Sequence, residues 1–468
     1  MRPIVNSSKL VLVDGRLYSR EVNSTMFDVG GFKAKTCGGV SRRSFLKLGT
    51  SVPFGLGMAG AASQLQAAEG QARSVILLWL WGAPSHIETF DPKPNSPLEY
   101  RGPFSPIPTR TPGVHFCELL PKLAARSDQF SLIRSMVSSN SGHPGAGTVG
   151  LTGYEENPPP VKPNFGSILA KDRGTGDLPP FFYIGRGIPR DLPRRISGYG
   201  GGTLGPAYDP FLVQCGADGK VNMPGIKLLE GLSPNRITDR RTLLANLDAS
   251  RRQLDSAGAA AWSQTYQSAY RLITNPAAIN AFDLTREAEP MRDMYGHTTF
   301  GQSCLLARRL VEAGTPYVQV NWSEYVESIT PGADFGWDTH IYNFELLQDR
   351  HCPIFDRAFS ALLDDLQERG LLDTTLVVAM GEFGRTPRIN KRAARDHWPR
   401  CYFSAWAGGG VQPGRVIGES DKLAEDPITR KITPLMAGTT IAELAGVTTQ
   451  RRAEMGVLNG GTVIDELL

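Results

Sequence analysis

The sequence is poor in cysteine and histidine, with six and seven of its 468 residues, and it has no general basic excess. Cys37 lies in the N-terminal region and no CxxC spacing occurs, so the other five cysteines allow one disulfide at most and exclude both a disulfide framework and a cysteine-based zinc site. Residues 1–68 hold nine Lys or Arg and three acids, which leaves the remaining chain at −2 of the total +4. Nucleic-acid binding therefore has no support.

The basic N-terminus is typical of an export signal. SRRSFLKLG (Ser41–Gly49) precedes a weakly apolar, Ala/Gly-rich stretch that ends near Ala67 and Ala68. This pattern resembles a twin-arginine leader with Arg42 and Arg43 as the pair, which makes the twin-arginine machinery an expected partner and the periplasm or cell envelope the expected location. The leader is long, so either Met1 or Met26 is the start. No other apolar run could span a membrane, so no stable span is expected after cleavage.

Apolar runs alternate with helical patterns through the rest of the chain. Strands are predicted near 73–82, 130–136, 181–185, 316–322, 374–380 and 401–410, and helices after His143, within 236–274 and 277–313, along 343–370 and near the C-terminus. This alternation predicts a three-layer αβα sandwich around a mostly parallel sheet. We expect residues 1–68 to form the leader and 69–468 a single domain, with a loop and helical insertion at about 186–297. The glycine-rich part of the insertion lacks the flanking strand and helix of a dinucleotide site.

Most of the histidines follow predicted strands and have carboxylates nearby. Ligands in open α/β sheets bind at the carboxyl ends of the strands, where these loops meet. His with Asp or Glu is the ligand mix of zinc, manganese or iron. The residues in question are His86, Glu88, Asp91, His143, Asp338, His340, Glu382, Asp396 and His397.

Each of these signals is weak alone, because an isolated Asp-x-His is usually a turn and a loop histidine is usually packed or hydrogen-bonded to backbone. Together they favour a metal site over solvated turns. His115, His297 and His351 lack the same setting and are interpreted as structural.

Several motifs carry a resemblance to a known family. The matching stretches are LWLWGAPSHIETFDPKP, HPGAGTVGLTGYE, GWDTHIYNF, GLLDTTLVVAMGEFGRTPRIN, RDHWPRCYFSAWAGGG and VIGESD. They resemble the alkaline phosphatase–sulfatase superfamily, and within it the exported branch known as domain-of-unknown-function family 1501. The resemblance spans roughly residues 73–445 and implies an alkaline-phosphatase-like domain.

The resemblance also implies roles for single residues, with departures. Glu382 takes the position of a metal-binding Asp, whereas Phe383 replaces a metal-binding His. His397 matches a late histidine ligand, and His143 occupies the nucleophile position, where it could attack phosphorus, bind a metal or act as acid–base. Since His143 should begin a helix, we expect the helix N-terminus to keep its imidazole neutral. Asp338 and His340 match an Asp–His pair.

Two further positions complete the expected site. Trp81 and Gly82 stand where an acid usually ends the first strand, so His86 or Asp91 could substitute from the next loop, and His86 is the residue expected to complete the metal shell. Arg385 is either an anion clamp or a surface-loop arginine.

The sequence thus predicts an exported metal-dependent hydrolase of phosphate or sulfate esters. The predicted metal ligands are His86, Asp338, His340, Glu382 and His397, and the predicted catalytic residues are His143 and Arg385. Zinc is the first choice of ion, with manganese, calcium or iron as alternatives, and the ion would polarise the ester and lower the pKa of a bound water. A small-molecule or polysaccharide ester is the expected substrate. The alternative function is a non-catalytic envelope protein that holds a polysaccharide or protein partner on the same scaffold.

Overall fold

The computed structural model describes residues 72–468, with gaps at 157, 175, 177, 187–189, 192–193, 225–271, 273–274 and 327–334. Among residues 1–68 it describes two strands, β1 (Leu10–Val13) and β2 (Arg16–Ser19), which pair antiparallel as a hairpin. The Arg42-Arg43 segment lies outside the described residues, so the export signal stays a prediction.

The chain from residue 72 to residue 468 contains one large sheet and several short two-stranded antiparallel sheets. Its strands are β3 (Ser74–Trp79), β4 (Pro106–Pro108), β5 (His115–Cys117), β6 (Ser131–Met136), β7 (Phe181–Ile184), β8 (Arg190–Asp191), β9 (Arg194–Arg195), β10 (Phe211–Cys215), β11 (Val221–Asn222), β12 (Tyr317–Asn321), β13 (Thr375–Met380), β14 (Gly384–Arg385), β15 (His397–Trp398), β16 (Tyr402–Ala407) and β17 (Val416–Ile417). Its α-helices are α1 (Leu98–Arg101), α2 (Pro121–Ala124), α3 (His143–Thr152), α4 (Phe165–Arg173), α5 (Pro276–Phe282), α6 (Glu289–Tyr295), α7 (Thr299–Glu312), α8 (Asn343–Leu346), α9 (Cys352–Glu368), α10 (Pro434–Leu444) and α11 (Thr449–Met455).

Nine strands form the large sheet in the order β11-β10-β7-β12-β3-β13-β16-β6-β17. Neighbouring strands are parallel except at β10–β11, β13–β16 and β16–β6, because β11 and β16 run against the others. The mostly parallel sheet expected from the alternating pattern is therefore confirmed.

The sheet is covered on both faces, as the continuous apolar runs require. From the central strand β3, Ile76 and Leu78 join the core formed with α7 and α9. The alternate residues Val75 and Leu77 join a second core with α4 and α10. Because successive side chains of a strand point to opposite faces, this split gives the three-layer αβα sandwich predicted from the sequence.

The predicted insertion differs in part from the structure. Strands β10 and β11 lie between residues 186 and 297, where only loops and helices were expected, and they extend the edge of the large sheet beside β7. The short run FLVQC was too brief to stand out among the surrounding glycines and prolines. Most of the helical segment predicted at 236–274 falls outside the described residues.

Two further expectations concern the cysteines and the membrane. The cysteines that the structure describes are all free and buried, so the one allowed disulfide does not form among them (Cys117, Cys215, Cys304, Cys352 and Cys401). Within the described part of the chain, no helix combines the length and apolar character needed to cross a membrane.

The carboxyl ends of the central strands lie level at one edge of the sheet. Trp79 of β3 pairs in register with Asn321 of β12 and with Met380 of β13. Strand β6 runs parallel to β13, since both are antiparallel to β16 between them. The loops that follow β3, β6, β12 and β13 therefore meet at this edge.

Candidate metal centre

The loop after β3 supports the loop that carries Asp338. The backbone N–H of Trp337 donates to the Trp81 carbonyl at 2.9 Å. Gly82 has a φ of +107°, and a Cβ there would lie 2.4 Å from the backbone nitrogen of Trp337 and 2.5 Å from that of Asp338. Only glycine fits this close approach.

Helix α3 places His143 against the end of β3. Gly142 precedes the helix and His143 is its first residue, as the sequence predicts. A Cβ at Gly147 would lie 2.8 Å from the Trp81 ring, so the small residue lets the helix pack closely on the strand. The His143 side chain is buried, 4% exposed, with the Trp81 ring 5.7 Å from its own.

Three histidines direct one ring nitrogen each toward the Asp338 carboxylate. Nε2 of His340 lies 3.0 Å and Nε2 of His397 lies 3.3 Å from Asp338 Oδ1. Nε2 of His143 lies 3.4 Å from Asp338 Oδ2. The Nε2 atoms of His340 and His397 are only 2.9 Å apart.

The other ring nitrogen of each histidine faces an acceptor. His143 Nδ1 lies 2.7 Å from Glu382 Oε1 and His340 Nδ1 lies 2.8 Å from Asp396 Oδ1. His397 Nδ1 lies 2.7 Å from the Ser141 carbonyl. Since ionised carboxylates and carbonyls only accept hydrogen bonds, each Nδ1 carries a proton and donates it. In a neutral imidazole, Nε2 then presents its lone pair toward Asp338.

With neutral imidazoles, the Nε2 lone pairs of this arrangement meet with no proton between them. The lone pairs of His340 and His397 face each other beside a carboxylate, so a proton or a metal cation has to lie among these atoms. Ligand atoms around tetrahedral zinc are about 3.3 Å apart, given bonds of about 2.0–2.1 Å. The four contacts given above, at 2.9–3.4 Å, match that spacing, whereas His340 does not lie within 4.8 Å of every other ligand atom.

The donor set therefore fits a divalent metal ion. His143, Asp338 and His397 offer ligand atoms that all lie within 4.8 Å of one another. His143 Nε2 is buried and has no hydrogen-bond partner. A histidine whose second nitrogen donates to a carboxylate or carbonyl is the usual form of a metal-bound histidine.

Burial and the neighbouring charges shift the pKa values of the cluster residues in opposite directions. Burial raises the pKa of Asp338, but Arg385 and the three histidines outweigh it and hold that pKa far below its ordinary value. Burial lowers the pKa of His143, yet the neighbouring carboxylates of Asp338 and Glu382 raise it to about 9. Without a metal ion, the two carboxylates thus act against the helix N-terminus, which favours a neutral imidazole at His143.

Glu382 supports the cluster from behind His143. Its side chain is fully buried, and Oε1 accepts from both His143 Nδ1 and the Gly82 N–H, the latter at 3.0 Å. Oε1 thus faces the ring nitrogen that points away from Asp338. The structure brings Glu382 to the site with Oε1 on His143 and with Oε2 buried without a hydrogen-bond partner, so its role as a metal ligand stays a prediction.

Arg385 is also occupied within the protein. Its guanidinium is fully buried and donates to Asp338 Oδ1 at 2.6 Å, to the Ala83 carbonyl at 2.9 Å and to the Gly82 carbonyl. Neither the anion clamp nor the surface-loop interpretation fits these contacts. Arg385 orients Asp338 and keeps it ionised, which makes it a positioning residue.

His86 lies apart from the converging nitrogens. Its Nε2 lies 2.9 Å from the Ala424 carbonyl, and burial lowers its pKa. The structure therefore assigns His86 to the packing of the loop after β3 and not to the cluster. His351 is likewise buried, between the carbonyls of Leu346 and Gly336, as expected of a structural histidine.

Two supporting features were missed from the sequence. The sequence places Asp396 next to His397, but the Asp396 side chain contacts His340, and only the fold reveals that pairing. Arg395 and Glu88 form a buried ion pair with a 2.8 Å contact from Nε to Oε2. That pair ties the loop after β3 to the loop that carries His397, and no local sequence signal links residues 307 positions apart.

The comparisons with known proteins agree with the motifs. Residues 72–464 match the family DUF1501, described as a protein of unknown function. The chain belongs to the DUF1501 family. The family-level resemblance drawn from its motifs is thereby confirmed. No curated protein matches this DUF1501 chain.

Solved structures with similar folds are distant in sequence. The PsFucS1 sulfatase from Pseudoalteromonas sp. is 12% identical, with 87% of this chain and 71% of that chain covered at a TM-score of 0.36. The C-terminal periplasmic domain of EcEptC from Escherichia coli, in complex with Zn, is 11% identical, with 80% and 83% covered at 0.36. The phosphonate monoester hydrolase SpPMH from Silicibacter pomeroyi is 12% identical, with 85% and 76% covered at 0.35. Similarity at this distance assigns no activity to the chain.

Proposed function

We propose that this DUF1501 protein is an exported, metal-dependent hydrolase of phosphate or sulfate esters. The observation that carries the proposal is the convergence of the His340 and His397 Nε2 atoms, 2.9 Å apart, on the Asp338 carboxylate. Lone pairs in that arrangement need a proton or a metal cation among them, and we propose the metal cation. We take zinc as the first choice, because imidazole and carboxylate suit it, with manganese, calcium or iron as alternatives.

The ligand set that we propose is His143, His340 and His397 through Nε2, together with Asp338. When bound, the metal would polarise an ester oxygen and lower the pKa of a water. Glu382, Asp396 and the Ser141 carbonyl hold the three rings in the orientation that presents Nε2. Arg385 fixes Asp338 from the opposite side.

The proposed nucleophile is water and not a side chain of the protein. His143, at the expected nucleophile position, is buried and has its two ring nitrogens 2.7 Å from Glu382 and 3.4 Å from Asp338. In the reaction, the oxygen of water forms a bond to phosphorus or sulfur, the bond to the ester oxygen breaks, and the leaving oxygen takes up a proton. His340 and Asp396 are the more exposed members, at 36% and 52%, so they border the side from which an ester would enter.

Export and location belong to the same proposal. The Arg42-Arg43 pair and the Ala/Gly-rich stretch behind it support transport by the twin-arginine machinery to the periplasm or cell envelope. That route carries folded proteins, so the metal would be bound before transport.

Elemental analysis of the purified protein, combined with a panel of aryl phosphate and sulfate esters, tests the proposal. We expect about one metal ion per chain and ester turnover that stops after chelation and returns with the metal. His340→Ala and His397→Ala should each weaken metal binding by more than the roughly 10- to 100-fold that loss of a ligand's outer partner costs. The matched control is His115→Ala, since His115 is an exposed histidine of β5 outside the groups of residues that could hold a metal ion.

The outcomes separate the two candidate functions. Metal binding without turnover of any ester would favour the non-catalytic binding protein, for which the absence of a Ser, Thr or Cys at position 143 is the supporting observation. Metal content that is unchanged in both histidine variants would show that the cluster is structural.

A further inference from the structure

Tyr342 has an unusual position for a large aromatic residue. Its side chain is 58% exposed, one of few large apolar side chains exposed in the described part of the chain. Its backbone φ is +54°, in the left-handed region. Bulky residues are genuine outliers there, and Gly or Asn is the usual choice when a turn alone has to be made. The turn itself therefore does not explain why a tyrosine is present.

Tyr342 lies close in sequence to His340, one of the residues of the proposed metal centre. Tyr342 follows His340 by two residues, so their Cα atoms are at most about 7 Å apart. His340 is the most exposed of the three converging histidines. The exposed Tyr342 side chain therefore belongs to the same turn as His340, the histidine that is most open to solvent.

The backbone under the ring is well fixed. The Tyr342 carbonyl accepts from the Leu346 N–H at 2.9 Å, which begins helix α8 at the next residue. Thr339 donates to the Asn343 side chain across the same turn. Ile341, 38% exposed, extends the apolar surface. A ring on a rigid base loses little freedom on binding, which favours its use as a contact surface.

Charge on the neighbouring loop suits an anionic ligand. Arg388, Lys391 and Arg392 are exposed on the loop that leads to His397. Asn390 joins this loop to the centre, because it donates to Asp396 Oδ1 at 3.0 Å and Asp396 in turn accepts from His340. The basic side chains would raise the local concentration of anions at this face.

We propose that Tyr342 stacks on the ring of the ester's leaving group and so selects ring-bearing esters over alkyl esters. This inference rests on the proposed function for the location of the ester, and it names the substrate class: an anionic ester carried on a ring. An aromatic ester offers a flat π face to the tyrosine, and a sugar ester offers the C–H face of its ring. Offset stacking between rings contributes enough to discriminate about 5- to 10-fold in affinity.

The test is calorimetric binding of non-hydrolysable phosphonates to the metal-loaded protein. We expect phenylphosphonate to bind about 5- to 10-fold more tightly than methylphosphonate. Tyr342→Asn should reduce this ratio to near one while the fold is kept, because Asn tolerates a positive φ. Tyr342→Phe should keep the ratio. Ile279→Ala is the matched control, since Ile279 is an exposed apolar residue of helix α5 at 50% exposure.

A second probe distinguishes the two sources of a ring. The phosphonate isostere of glucose 6-phosphate should show the same dependence on Tyr342 if sugar esters are the substrates, whereas dependence with phenylphosphonate alone would assign the ring to aryl esters. An unchanged ratio for both probes in Tyr342→Asn, or no ring preference in the parent protein, overturns the inference. If no ester is hydrolysed but the ratio still falls in Tyr342→Asn, the hydrolase proposal fails and the stacking role stands.

Discussion

Replacement of Glu382 by Gln tests whether this residue supports a ligand or is itself a ligand. Glu382 Oε1 lies 2.7 Å from His143 Nδ1 and 3.0 Å from the Gly82 nitrogen. A Gln oxygen can still accept both hydrogen bonds, so the ring should keep its orientation. The substitution removes the negative charge that makes His143 a stronger ligand. Loss of such outer partners costs about 10- to 100-fold in metal affinity, which is about 1.4 to 2.7 kcal/mol.

The assay is competition with a chelator of known affinity, combined with elemental analysis. Glu382→Gln should still bind about one metal ion per chain, with the weaker affinity given above. Asp356→Asn is the matched control, because Asp356 is a buried carboxylate that accepts from the N–H groups of Lys122 and Leu123 and lies in α9. Its metal affinity should equal that of the parent protein.

Two results would refute this reasoning. If Glu382→Gln loses metal as completely as His397→Ala, Glu382 is a direct ligand, as the superfamily resemblance implies. If its affinity is unchanged, the contact with His143 contributes nothing to metal binding.

Three further predictions concern export, the backbone at the site and acid stability. Replacing Arg42 and Arg43 with Lys should trap full-length protein in the cytoplasm, and unchanged export on fractionation would exclude the twin-arginine route. Gly82→Ala should destabilise the fold by more than about 2 kcal/mol in urea unfolding, because its Cβ would overlap the Trp337 nitrogen and its φ is +107°; a smaller loss would mean that the loop can move. Burial lowers the pKa of His351 to about 4, so its contribution to stability is complete above about pH 6.5 and is lost as the pH falls toward 4. The loss of unfolding free energy between pH 7 and pH 5 should therefore shrink by about 2 kcal/mol in His351→Gln, and an equal loss in both proteins would contradict this.

The strands and their order along the chain could be predicted from the sequence, because buried parallel strands are continuous apolar runs. Six predicted strands match strands of the large sheet, and the first residue of α3 is His143 as expected. Chemistry at strand ends could also be predicted, since the carboxyl ends of parallel strands meet. This is why Asp338, His340 and His397 were found together.

The roles within the cluster could not be predicted in the same way. Whether a residue binds a metal or supports a ligand depends on which ring nitrogen faces which oxygen. A single side-chain rotation changes that contact, and the sequence does not specify the rotation. Arg385 shows the same limit, because an arginine three residues after Glu382 could point to solvent or inward. The hydrogen bonds from its guanidinium to the Gly82 and Ala83 carbonyls show that the side chain points inward.

The two departures from the superfamily pattern are linked by the structure. Phe383, which replaces an expected ligand, is fully buried, and its ring centre lies 5.0 Å from that of His143 and 4.8 Å from that of His397. With Ala83 and Ala146 it forms a small apolar cluster behind the imidazoles. Under the proposed function, His143 would replace the ligand that is lost at position 383, and Phe383 would exclude water from that side. An apolar wall strengthens the interactions of Asp338 and Glu382 with any cation that the histidines hold, because charges interact more strongly where water is excluded. The pair of substitutions thus favours a centre built for one metal ion, open to solvent only where His340 and Asp396 are exposed.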